Sequence, residues 1–208
     1  MYEFLADLDE YFCEKYANYD KLCALPGYRM PKMQTSEVRE DGRTYAYTLP
    51  ADTMRLALQE NKTELLSALK SRLLDKTFSF SFEPVGFFSR IGQLFSRYAF
   101  YKNLKILFGK YNIDLKETGE GLAISAEIWS EICKGKFLPS KNLLFSMALI
   151  AQLSLEDTKN LMLLCGFEFD YAEAKDVVVD YLLYNKVYNR GMIDAALAEY
   201  KVENLFLK

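Results

Sequence analysis

The residues of this chain best suited to chemistry lie in one short stretch, and that chemistry is recognition rather than bond making. Within Ile124 to Ser140 the apolar Ile124, Trp129 and Ile132 are spaced five and three apart. This predicts a helix over Ala126 to Lys134 with one face turned inward. Gly135 stands where a left-handed residue would stop that helix, and Pro139 and Ser140 mark the start of the next. Ala126, Glu127, Ser130, Glu131 and Lys134 remain on the outward face, with Ile128 partly exposed between Glu127 and Trp129. A helix entering the major groove meets base edges and phosphates with its N-terminal outward residues. A glutamate there can accept from a cytosine amino group. Two glutamates without a flanking arginine lack the phosphate neutralisation that carries much of the affinity. Ile128 suits a protein contact better than a phosphate.

A second candidate surface is basic. Residues 85–112 hold five bases and no acid, against 11 bases and 14 acids in 1–84 and 10 bases and 15 acids in 113–208, within a net charge of −3. Arg90, Arg97, Lys102, Lys105 and Lys110 interleave with aromatic residues, a pattern that serves membrane-surface or nucleic-acid contact. The competing arrangement buries Phe87, Ile91, Leu94 and Phe95 against the first domain and leaves the bases in water. It is the favoured one, so a membrane-surface role is not expected.

Catalysis has little to work with. The chain has no histidine, so acid–base work would fall to carboxylates, lysine, tyrosine or cysteine. Asp7, Asp9 and Glu10 cluster at helical spacing and read as a solvated face. No GxSxG, P-loop or GxGxxG occurs, and Gly86, Gly92 and Gly109 are too scattered to cradle phosphates. No catalytic residue, cofactor, small-molecule substrate or metal site is expected. Cys13, Cys23, Cys133 and Cys165 form no CxxC pair and are expected to be reduced thiols, Cys133 and Cys165 on apolar helix faces. The acidic start MYEFLADLDE is unlike a secretory signal. No apolar run approaches the roughly 20 residues that span a bilayer. The expected location is cytoplasmic.

The elements that hold these residues can be read in order. Phe4, Leu5, Leu8, Phe12, Tyr16, Tyr19 and Leu22 recur at steps of three and four, which predicts one helix over Tyr2 to Leu22, ended by Pro26 and Gly27. Met30 to Pro50 reads as a hairpin with a two-residue Asp41-Gly42 turn, Tyr45, Tyr47 and Leu49 sharing one side. A helical stretch follows over Thr53 to Leu74, with Asn61-Lys62-Thr63 able to divide it. Phe78, Phe80 and Phe82 alternate with serines as a third strand. Pro84 to Gly86 is the best boundary. A basic amphipathic helix comes next, with a break near Ala99 and a new helix at Phe100. Ser154 to Asp157 and Asp170 to Glu173 read as capping boxes opening helices that run to Gly166 and to about Tyr184. A last helix covers about Gly191 to Tyr200. The apolar end of Val202 to Leu207 is expected to dock on its own core. The fold class is mostly α: an α+β unit over 1–83, a linker helix over 84–99, and an all-α helix-turn-helix bundle over 100–208.

Leu104 and Leu107, the small Gly119 between two helices, Ile124-Ser125, Gly135-Lys136, Pro139-Ser140, the stripe Leu143, Met147, Ala148 and Leu153, and Ser154 to Leu164 all fall in one pattern. On these residues, Phe100 to Phe167 resembles the Xre or lambda-repressor-like helix-turn-helix family. Ala123 replaces the usual turn glycine, Thr118 a usual leucine, and Cys133 stands where an acid is common. Cys165-Gly166-Phe167, Asp176 to Leu183 and Met192 to Tyr200 look like the two-helix extension found after such domains in bacterial proteins, where it is appended to macrodomains and signalling parts. The resemblance implies base-contacting positions at Ala126, Glu127, Ser130 and Glu131, none a strong base or phosphate donor. The expected role is a non-enzymatic bacterial regulator or adaptor, working through a protein partner or self-association. The alternative is a DNA-binding transcription regulator.

Overall fold

In the computed structural model, the structure describes residues 2–30, 34–48, 55–74 and 87–208, with backbone only at 34–35, 47–48 and 87–96. The chain is mostly α, with ten α-helices among the described residues and one two-stranded antiparallel hairpin. Two compact units are present: Met1–Leu73 with Asp170–Val177, and Leu74–Phe169 with Val178–Lys208. The α+β unit is therefore completed by a segment from far along the chain. The expected boundary at Pro84 to Gly86 and the expected strand at Phe78 to Phe82 lie outside the described residues.

In the first unit, α1 (Tyr2–Lys15) buries Leu8, Phe12 and Cys13. The single helix expected to reach Leu22 is instead broken at Tyr16 to Asn18, and α2 (Tyr19–Cys23) starts afresh. The cause is a competing set of partners. Ala17 N–H donates to the Tyr171 carbonyl at 2.9 Å, and the Asn18 side-chain amide donates to the Ala172 carbonyl at 3.2 Å. The Asn18 oxygen then accepts from Lys21 N–H at 3.1 Å and caps α2. The second helical stretch does divide at Asn61, into a 3-10 turn at Leu56–Leu58 and α3 (Lys62–Arg72). Leu56, Leu65 and Leu69 join Leu8, Phe12, Tyr16 and Leu22 in the core. Lys70 reaches Asp9 at 2.6 Å, so Asp9 belongs to a tie between α1 and α3 and is not simply solvated.

The hairpin pairs β1 (Gln34–Val38) with β2 (Thr44–Thr48), Val38 opposite Thr44. Its loop has three residues, Glu40 to Gly42, not two. Gly42 N–H donates to the Arg39 carbonyl at 2.9 Å and Arg39 N–H to the Arg43 carbonyl at 3.1 Å. Gly42 takes φ +72°, as the left-handed third position of such a loop requires. Asp41 accepts from Arg43 N–H and from the Tyr45 hydroxyl.

In the second unit, α4 (Phe87–Tyr111) is one continuous helix, without the break expected near Ala99. No glycine or proline falls between Gly92 and Gly109 to make one. There follow α5 (Leu115–Gly121), α6 (Ala126–Cys133), α7 (Lys141–Ile150) and α8 (Leu155–Leu164). Asp114, Ser125, Ser140 and Ser154 cap their N-termini in turn. Of the last two helices, α9 (Ala174–Tyr184) starts in the first unit and passes into the second after Val177, and α10 (Arg190–Glu199) belongs to the second. The capping box expected at Asp170 does not open α9. The Asp170 side chain accepts from Ala172 N–H at 2.9 Å and its own N–H donates to Asp176 at 2.6 Å, which makes a turn. Phe100, Leu104, Trp129, Ile132, Leu143, Phe145, Leu153 and Leu161 form the core around α6 and α7. Among the described residues no helix is long and apolar enough to cross a membrane.

Candidate recognition helix and its surroundings

The α5–α6 pair is built from the inside outward. Trp129 and Ile132 are the buried residues of α6. The Trp129 indole N–H donates to the Leu115 carbonyl at 2.8 Å, and its ring meets Phe108 of α4 at 6.4 Å between centroids. Ser125 Oγ accepts from Ile128 N–H at 3.3 Å to start α6. Its end is fixed by Gly135 at φ +72°. Gly135 N–H donates to the Ile132 carbonyl and Lys136 N–H to the Glu131 carbonyl, at 2.9 and 3.0 Å. That bond pair closes a helix end on a left-handed residue. With the inner face fixed, Ala126, Glu127, Ile128 and Lys134 are exposed, while Ser130 and Glu131 are half-buried. The six predicted face residues thus lie on α6 or its cap.

The charge on this face is more balanced than its two glutamates suggest. Lys136 Nζ lies 2.6 Å from Glu131 Oε2 and Lys134 Nζ 3.6 Å from Oε1. The Lys136 bond, with the charges of both lysines, holds the Glu131 carboxyl below the usual carboxylate range. Glu127 is also lowered, by its own backbone N–H and by the Ser125 hydroxyl, so its carboxylate serves the start of the helix. Helical spacing does not reveal Lys136 as a member of the face, because it follows the helix in sequence. Its signal was the preceding glycine, which folds the chain back toward Glu131. Three apolar side chains nearby in sequence are exposed: Leu115 by 38%, Ile128 by 40% and Phe137 by 45%.

The four predicted bases whose side chains are described do not form one patch. Arg90 lies in α4, with its side chain outside the description. Arg97 is half-buried, and Lys102 and Lys105 are exposed. Lys105 lies over the Tyr101 ring at 4.5 Å. Lys110 is directed elsewhere, donating to Asp157 of α8 at 2.8 Å. Tyr101 also supports the end of α6: a β-carbon on Gly135 would sit 3.2 Å from Tyr101 Cβ. The stretch of α4 around Arg97 and Tyr101 is therefore the part that adjoins the α6 cap, with Lys102 and Lys105 following it.

The four cysteines are free thiols. Burial pushes Cys13 and Cys133 up to about 11 and Cys165 up to about 12, so these three are poor thiolates at neutral pH. Among the described residues no group of three or more histidine, cysteine or carboxylate side chains could hold a metal ion. Comparison of the chain with protein-family models, with curated proteins and with solved structures finds no match.

Proposed function

We propose that the chain is a non-enzymatic regulatory or adaptor protein of the cytoplasm, binding a protein partner or a second copy through the outward face of α6. One observation carries this: Ile128 is 40% exposed on the first turn of a helix on which Glu131 is already paired with Lys136. An apolar side chain in that setting can be desolvated at the centre of an interface. A carboxylate that keeps its lysine partner loses less on being covered than a bare one. In this reading residues 100–167 are a degenerate Xre-like bundle, extended by α9 and α10. The test is affinity capture together with sedimentation, comparing the native chain with Ile128→Asp. Loss of bound partner or of self-association is expected; an unchanged set of associations rejects this face.

The balance of Lys134 and Lys136 against Glu127 and Glu131 favours a second reading, in which the same helix enters DNA and the exposed Lys102 and Lys105 meet the backbone. Such a protein retards mixed-sequence duplex at low salt, with affinity falling steeply as salt rises. Glu127→Lys with Glu131→Lys would strengthen that binding. Absence of retardation at low salt eliminates it.

A further inference from the structure

We propose that Val202–Lys208 is a strap that holds the turn between α5 and α6, so that its docking governs how the outward face of α6 is presented. The link to recognition rests on α6 being the binding face, but the strap itself is tested without a partner.

The turn Leu122–Ser125 leaves backbone groups that need partners. Ala123 N–H finds one in the Phe206 carbonyl at 2.9 Å, and the Gly121 carbonyl accepts from Lys208 N–H at 3.0 Å. Leu122 and Leu207 face each other in an antiparallel bridge, and Leu122 is fully buried. A third bond anchors the strap to α7. Phe206 N–H donates to Ser146 Oγ at 2.8 Å. Ser146 is fully buried, and its own hydroxyl hydrogen is committed to the Asn142 carbonyl at 2.8 Å. A hydroxyl that donates to its helix and accepts from the strap is satisfied on both sides only while the strap is docked.

The other end of the strap leads to α10. Val202 N–H donates to the Leu197 carbonyl at 2.8 Å. Lys201 and Asn204 turn the chain at φ +50° and +64°, values uncommon for residues other than glycine. A displacement of α10 would thus be passed by main-chain bonds to the turn that aims α6. A segment outside the helices opens more readily than the helices it lies on.

Native-state hydrogen exchange of the full chain tests this. The amides of Phe206, Lys208 and Ala123 are expected to open as one unit, more easily than Met147 of α7 and Leu161 of α8. Opening of Ala123 independently of Phe206 and Lys208 overturns the proposal. In Leu207→Asp, exchange at Ala123 and across α6 should rise by about tenfold or more, while Met147 and Leu161 keep their protection. Unchanged exchange in α6 beside a freely exchanging strap overturns it. So does a general loss of protection that includes Met147 and Leu161, because the strap would then hold the whole unit. The measurement on the native chain stands if the variant does not fold. A partner that ignores Ile128→Asp leaves the strap result unaffected.

Discussion

A β-carbon placed on Gly119 would lie 2.6 Å from Nε1 of Trp129 and closer still to Cδ1. The indole thus stands directly on the backbone of α5, and its N–H reaches the Leu115 carbonyl one turn earlier. Glycine costs α5 about 1 kcal/mol of helix propensity against alanine. It is kept because the ring leaves no room for a methyl group.

Gly119→Ala should therefore lower stability, by about 1 to 2 kcal/mol, the cost of overpacking exceeding the gain in propensity. A urea midpoint at or above that of the native chain would show that Trp129 yields without strain.

The carboxylate of Asp157 joins α8 to the end of α4. It takes donations from Lys110, from the Tyr111 hydroxyl and from Ser154 Oγ, while its N–H caps on that same oxygen. Partial burial pushes this carboxyl up, but the bonds from Lys110, Tyr111 and Ser154 together outweigh it and hold it below the usual range. A carboxyl depressed on folding contributes stability above its unfolded value, about 4, and loses that contribution as pH falls through the folded value. Asp157→Asn should cost about 1 to 2 kcal/mol at pH 7, toward the low end for bonds to a charge because Lys110 stands largely in water. Denaturation curves of the two proteins should converge as the pH is lowered below 4. A gap that persists in acid would mean that shape, not charge, holds the joint.

What could be read in the sequence was what depends on neighbours along the chain. The cap at Ser154, the stop at Gly135 and the small residue at Gly119 each involve partners within about one or two turns, or the next helix. The break between α1 and α2 is not legible, because its cause lies in the carbonyls of Tyr171 and Ala172, each 154 residues from the group it meets, on Ala17 and Asn18 respectively. Asp170 departs from its sequence pattern for a related reason: the residues of a capping box are present, but Asp176 takes the Asp170 N–H. The six residues of the α6 face were legible from spacing. Their electrostatics were not, because the ion pair of Glu131 with Lys136 exists only once Gly135 turns the chain back.

Helix ends offer a comparison within one molecule. Gly135 after α6 and Gly166 after α8 take φ +72° and +78°, whereas Gln152 after α7 takes φ +52° with the same kind of closing bond, Leu153 N–H to the Ala148 carbonyl at 2.9 Å. The Gln152 side chain is exposed, so little packing offsets the strain. Gln152→Gly should raise stability by about 0.5 to 1 kcal/mol, relief of the left-handed conformation exceeding the added freedom of the unfolded chain. Thermal melting at fixed pH decides it, and a lower midpoint would mean that the glutamine side chain has a structural role.

The thiols give a test that spans both units. Cys13 is buried, and Cys133 and Cys165 are half-buried, whereas Cys23 is exposed. A thiol must ionise and be reached before it attacks an electrophile. Burial raises Cys13 and Cys133 to about 11 and Cys165 to about 12, which suppresses thiolate at all three. At pH 8 an aromatic disulfide reagent should therefore titrate Cys23 rapidly and the other three only on unfolding. The order can be followed by mass spectrometry of alkylated peptides. Fast labelling of Cys133 would be the informative failure, since that residue ends α6. It would mean that the helix opens at its C-terminal turn in the native state, where Gly135 and Tyr101 are in contact.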